Sequence, residues 1–225
     1  EIDPEVRCVV LTGAGKGFCA GGDVKGMAAS GDGTVGENTI DSAIHRQRLH
    51  QRATSGKLFK MPKPTIAALP GAAAGAGLSY ALACDLRVMS KAAIMTTAFA
   101  RVGFSGDYGG SYFMTQLIGS AKARELYFLS DRVTAEEALD LGLANWICEP
   151  DDLMDKTMEV ANRLANGPSV AYRYMKENLN RAMNGEVDDC LDLEATHHIH
   201  CGQTQDHRNA TKAFVEKKEP VFEGK

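Results

Sequence analysis

In the stretch GFSGDYGG, Gly103 to Gly110, a single carboxylate, Asp107, sits among glycines directly ahead of the apolar run SYFMTQLIG. An aspartate so placed has two physical uses. Its oxygen can cap the helix that the apolar run announces. Alternatively, in an apolar pocket that raises its pKa, it can take a proton from one carbon and return it to another. A second cluster, THHIHC, holds His197, His198, His200 and Cys201. On a helix His197 shares a face with His200 and with Cys201. The run lacks HExxH or paired CxxC spacing, so solvated or interface histidines are expected and no metal site is assigned. A third feature is chemical by absence: in GAAAGAGLSYALACD the small residues let a helix start lie against other backbone or a ligand.

The elements that must position these groups follow from periodicity and turn chemistry. Cys8–Leu11, in RCVVLTGAGKGFCAGGD, reads as a buried strand feeding a glycine-rich functional loop. A polar, glycine-rich stretch from Met27 to Asn38 is expected to be a mobile loop, followed by a helical pattern to about Lys60. Thr65–Leu69 reads as a strand, Pro70-Gly71 as a turn, Gly75–Ala83 as a helix and Leu86–Met89 as a strand, with a further strand near Ile94–Phe99. Thr134 and Glu137 have capping-box spacing, and ANWIC reads as a strand with Trp146 in the core. From Pro150 onward the pattern is helical, broken at Gly167-Pro168 and Gly185. The expected organisation is a core over residues 1–150 and a helical region over 151–225.

The chain of 225 residues, 44% hydrophobic and 24% charged, is long enough for a substantial core. A formal net charge of -4, with Lys and Arg dispersed, argues against a nucleic-acid partner. The six cysteines lack CxxC spacing, which fits reduced thiols of a cytoplasmic protein. No apolar run reaches the roughly 18 to 20 residues of a membrane span, and EIDPEVR lacks a signal-peptide pattern, so no membrane association is expected.

Four segments in order, GKGFCAGGDVKGM, KPTIAALPGAAAGAGLSYALACDLRVMS, DRVTAEEALDLGLANWI and AFVEKKEPVFEGK, resemble the landmarks of the enoyl-CoA hydratase/isomerase (crotonase) superfamily. The resemblance spans essentially the whole chain. Family members normally begin with a further strand and an Asn-Arg-Pro type loop, which would lie upstream of Glu1, so part of the CoA-contacting surface is expected to be missing from this sequence. The resemblance implies an α/β fold, a spiral of ββα units followed by a helical trimerisation region, and a homotrimer or dimer of trimers. It implies an acyl-CoA thioester as substrate, with no separate cofactor. Carried over by position, the thioester oxygen would be held by the backbone amides of Gly22 and Ala76. Ala20, Val24, Lys25, Phe214, Lys217 and Lys218 would meet the CoA, the last three often from a neighbouring subunit. The physical logic is that enolate chemistry puts negative charge on the thioester oxygen, and preorganised amides stabilise it.

Hydratases of the family use two glutamates to handle water, and the matching positions here are Ser79 and Phe99. Neither is a general base at neutral pH. The site pattern is closest to the family's 1,2-epoxyphenylacetyl-CoA isomerase branch, which carries an aspartate at the Asp107 position, an aromatic residue at Phe99 and a non-acidic polar residue at Ser79. Ser79, Phe99 and Tyr108 are therefore expected in the substrate pocket. The implied activity is a double-bond shift through Asp107. Alternatives are an enoyl-CoA hydratase in fatty acid or aromatic degradation, an acyl-CoA hydrolase using Asp107, and a non-catalytic acyl-CoA or RNA-binding homologue. The 4-chlorobenzoyl-CoA dehalogenase branch shares the spacing of Asp107, Ser111 and Tyr112. Its histidine base is matched here by Arg52, with His45 and His50 out of register, so covalent catalysis is less supported.

Overall fold

The strand β1 (Val9–Thr12) opens a repeating path, in the computed structural model, through two parallel sheet layers and a helix. Residues 1–30 and 39–225 are described. After β1 the chain reaches Cys19, which bridges in parallel to Ala73, and then the helices α1 (Val24–Ser30), α2 (Ile40–Ala53) and α3 (Ser55–Lys60). The next turn runs β2 (Thr65–Leu69), β3 (Ala73–Ala74) and α4 (Ala76–Ala83). The one after runs β4 (Leu86–Ser90), β5 (Met95–Thr96) and α5 (Gly110–Leu129). A last partial turn passes Val133, which bridges to Met95, then α6 (Ala135–Asp140) and β6 (Trp146–Cys148). One sheet has the order β1-β2-β4-β6 and the other pairs β3 with β5. Parallel registers pair Ala73 with Met95, and Val88 with Trp146. Each circuit thus places one strand in each layer and then a helix, which is the ββα spiral.

Two compact units divide the chain: Leu11–Phe59 with Ala67–Leu153, and Glu1–Val10 with Lys60–Ile66 and Met154–Lys225. Compared with a division at residue 150, the smaller unit also takes in the N-terminal segment Glu1–Val10 and the internal segment Lys60–Ile66. In the larger unit the core gathers Ala67, Leu69, Leu78, Leu82, Met89, Met95, Met114 and Leu143. β2 is buried at every position because TIAAL offers only apolar or small side chains to both faces. Arg87 is also buried, and its guanidinium donates to the carbonyls of Leu143 and Cys84 at 2.7 Å each, so backbone carbonyls help solvate the buried cation.

The smaller unit contains most of α7 (Leu153–Ala165), and α8 (Ser169–Ala182), α9 (Val187–Gly202) and α10 (Gln205–Val215). The breaks at Gly167-Pro168 and Gly185 fall where expected. A further break follows Gly202, the last residue of α9, and Thr204 opens α10, its side chain accepting from the His207 N–H; the sequence reading did not place it. His197 is buried, stacked on Tyr174 at 4.2 Å and hydrogen-bonded to Asn178, so it serves internal packing.

Several local readings change. Val24–Ser30 is helical although Met27 onward reads as loop; Asp23 explains it, its Oδ1 accepting from the Gly26 N–H at 3.0 Å as an N-cap. Residues 31–38, on which the expected mobile loop falls, lie outside the described residues. The strand expected over Ile94–Phe99 is confined to Met95–Thr96, because the backbone turns left-handed at Ala98 and enters a 3₁₀ turn at Ala100–Val102. Trp146 is half-buried rather than core. The capping box of Thr134 and Glu137 is present with both bonds.

Candidate active site

Two backbone turns converge in the larger unit. The first follows Cys19, whose N–H donates to Ala72 and whose carbonyl accepts from the Ala74 N–H at 2.9 Å, pinning the glycine loop to β3. The second is the start of α4, where Gly75 takes φ 54, ψ -124 as the N-cap and offers no side chain to the first helical amides. Small residues are required where the turns meet. A Cβ on Gly77 would lie 2.2 Å from the Cys19 carbonyl oxygen, and one on Gly21, at φ 88, would lie 2.9 Å from Ala74 O and 3.5 Å from Ala76 N. Ala76 N is the first amide of α4 and has no intrahelical acceptor.

Above these turns lies a cavity of about 90 Å³ lined by residues of both, including Ala20, Gly22, Val24 and Ala76, and by Phe99 and Asp107. Asp107 is the only ionisable side chain among the described lining residues. Its Oδ1 is buried and has no hydrogen-bond partner among the described residues, and burial pushes the carboxyl above its usual value. It does not cap the helix. α5 begins at Gly110, its N-cap is Gly109 in the left-handed region (φ 78), and no side chain bonds the first amides. The capping alternative for Asp107 is thereby removed. Asp107 also borders a larger cavity of about 520 Å³, whose walls include Ile40, Ile44, Gln47, Arg48 and Phe104.

The Asp107 loop is held from behind. Gly103, Gly106 and Gly109 all have positive φ, so this turn cannot be built from ordinary residues without strain. The Ser79 hydroxyl, fully buried on α4, is 3.0 Å from the Asp107 carbonyl oxygen and 3.3 Å from that of Gly75. Expected in the substrate pocket, Ser79 instead faces backbone, with Gly110 packed so closely that a Cβ there would lie 2.3 Å from its Oγ. The Tyr108 N–H donates to Gln51 on α2, tying the loop to that helix. The Tyr108 ring meets Tyr80 at 4.9 Å rather than entering the small cavity, and burial, with Tyr108 second, pushes the Tyr80 phenol up to about 12. Phe99 stacks on Tyr127 at 5.9 Å, a residue without any recognisable motif in the sequence.

Lys25 is exposed on α1. Phe214 and Lys217 belong to the smaller unit, where Phe214 is 84% exposed near the end of α10 and Lys217 follows that helix with φ 56. Among the described residues no helix is long and apolar enough to cross a membrane.

The whole chain, residues 1–225, matches the enoyl-CoA hydratase/isomerase family. It is 33% identical over 225 residues to 1,2-epoxyphenylacetyl-CoA isomerase of Escherichia coli strain K12, covering 100% of this chain and 84% of that protein. It is 34% identical over 222 residues to the short-chain-enoyl-CoA hydratase of Clostridium acetobutylicum, covering 97% and 80%. The crystal structure of an enoyl-CoA hydratase from Polaromonas sp. JS666 superposes with a TM-score of 0.90 at 31% identity, over 99% of this chain and 84% of that one. The spiral, the ordered glycine turns and these full-length matches agree: the chain is an enzyme of the enoyl-CoA hydratase/isomerase family.

Proposed function

We propose that this enzyme is an enoyl-CoA isomerase in which Asp107 carries the proton. The observation that supports this most is a single half-buried carboxylate, its Oδ1 buried and unpartnered among the described residues, in the cavity lined by the Gly22 and Ala76 turns. Asp107 takes a proton from C2 of a 3-enoyl thioester, and the electron pair moves onto the thioester oxygen as a dienolate. The Gly22 and Ala76 amides hold that oxygen. The carboxylic acid then returns the proton at C4, leaving the double bond between C2 and C3. An elevated pKa serves both halves, since the group must accept and release one proton in each turnover.

Hydration needs a second acid–base group to position water, and Ser79 and Phe99 occupy the places where the family's hydratases carry theirs. The acyl chain runs past Asp107 into the larger cavity beside α2. Ala20, Val24 and Lys25 meet the CoA, as do Phe214 and Lys217 supplied by a neighbouring subunit of a trimer or dimer of trimers. The exposed apolar positions Leu191, Ile199 and Phe214 fit such an assembly. The test is product partition: offered matched 3-enoyl- and 2-enoyl-CoA thioesters, the enzyme is expected to isomerise the first at least about tenfold faster than it hydrates the second. Hydration at the greater rate would refute the reading.

A further inference from the structure

Tyr127 lies on the second half of α5, beyond the break at Gly119, where φ 76 and ψ 162 interrupt the helix. Its ring is stacked on Phe99, which lines the small cavity. Its hydroxyl sits against Gly106, which precedes Asp107, and Gly110, the first residue of α5. A Cβ on Gly110 would lie 2.6 Å from Tyr127 Oη, and one on Gly106 would lie 3.6 Å from it and 3.1 Å from Cε1. The absence of side chains at both positions is what admits the phenol beneath the loop. Tyr127 Oη and Asp107 Oδ1 are two of the three buried side-chain polar atoms without a hydrogen-bond partner among the described residues. A buried hydroxyl without a partner is costly, so its retention beside an equally unpartnered carboxylate calls for a function.

We propose that Tyr127 is a positioning residue whose phenol O–H donates to the Asp107 carboxylate during proton transfer, fixing one carboxylate oxygen while the other faces the substrate carbon. The proposal rests on the reading of Asp107 as the proton carrier. Burial, and secondarily the charge of Asp107, push the phenol well above its ordinary range, so it stays protonated and remains a donor throughout the working pH range. The phenol keeps its own proton: the mobile proton passes from C2 to Asp107 and back to C4, and Tyr127 only orients and stabilises the carboxylate while that transfer takes place.

Other titratable groups around the pair are few among the described residues. From α2, Arg48 lines the outer cavity that Asp107 also borders. From α4, Tyr80 is engaged with Tyr108. The Ser79 hydroxyl faces backbone carbonyls. From α5 itself, Tyr127 is the phenol whose acidity responds to Asp107.

The experiment is Tyr127→Phe, which keeps the ring and removes only the hydroxyl, assayed for isomerisation across pH beside Asp107→Asn and the double variant. The expected result is a loss of about tenfold in kcat with KM within about twofold. The acidic limb of kcat, which reports the substrate complex, should move upward by about one pH unit, because the charged carboxylate loses a donor there. The double variant should be no slower than Asp107→Asn alone, since both act on one group. An unchanged acidic limb in folded Tyr127→Phe, or additive losses in the double variant, would overturn the role of Tyr127 while leaving Asp107 in place. Isomerase activity retained in Asp107→Asn would overturn the reading of Asp107 and the proposal with it.

Discussion

Asp107 has an environment that favours its neutral form, with an oxygen buried, no donor among the described residues and no role at the helix terminus. That combination makes a stability prediction with a definite sign. Its folded pKa is raised above the ordinary 3.8, so ionisation opposes folding. The penalty is absent below the unfolded pKa and grows as pH rises through the folded one. Asp107→Asn should therefore melt higher than the wild type at pH 8, on the order of a few degrees, with a smaller advantage at pH 4. Thermal scans at the two values check this, and a lower melting temperature for Asn at pH 8 would mean that the carboxylate has a stabilising partner. The sequence alone could not choose between cap and acid, because both uses place an aspartate ahead of an apolar run. The structure removes the cap, because Gly109 ends the turn in the left-handed region and takes the N-cap position itself.

At the scale of elements, the proposed site depends on two turns that only small residues can build; their glycines alone read as ordinary turns, and it was the ordered family landmarks that pointed to a site there. Ala76 gives the cleanest way to test the second turn. It is the first residue of α4, a position that tolerates proline because its N–H has no intrahelical acceptor. The preceding residue is Gly75 at φ 54 and ψ -124, away from the right-handed helical region that a following proline disfavours. Ala76→Pro should leave secondary structure by circular dichroism intact and lower kcat by about two to three orders of magnitude, the cost of one oxyanion donor. Turnover like that of the wild type in the folded variant would show that the amide does not hold the oxyanion. The supports behind Asp107 were less legible. Ser79 was identifiable as a position, but its turn toward the Asp107 carbonyl depends on the close approach of Gly110. Tyr127 and Gln51 reach the loop from residues 20 and 56 positions away, a proximity that no local pattern encodes. The helix Val24–Ser30 was missed for another reason: its glycine and serine content outweighed the cap supplied by Asp23.

For the whole molecule, the spiral follows from repetition of strand, short strand and helix; turn chemistry marked the longer strands and helices, the family resemblance implied the spiral, and the two-residue strand Ala73–Ala74 was too short to read. The C-terminal helices were readable through their breaks, whereas the grouping of Glu1–Val10 and Lys60–Ile66 with them was not, since that association is a matter of tertiary packing. Exposed Leu191, Ile199, Phe214 and Val215 leave an apolar surface on these helices that fits the proposed subunit assembly. What the complete enzyme does with its thioester is decided by whether one carboxylate suffices. The most direct measurement follows a 3-enoyl-CoA in deuterated water with wild-type enzyme and Asp107→Asn, locating both the double bond and the deuterium in the product. The account predicts a 2-enoyl product bearing deuterium at C4 to the extent that the shuttled proton exchanges with solvent, and a rate lower by about two to four orders of magnitude in Asp107→Asn. Undiminished isomerisation by the folded Asn variant, or a hydrated product as the main outcome with the wild type, would contradict it.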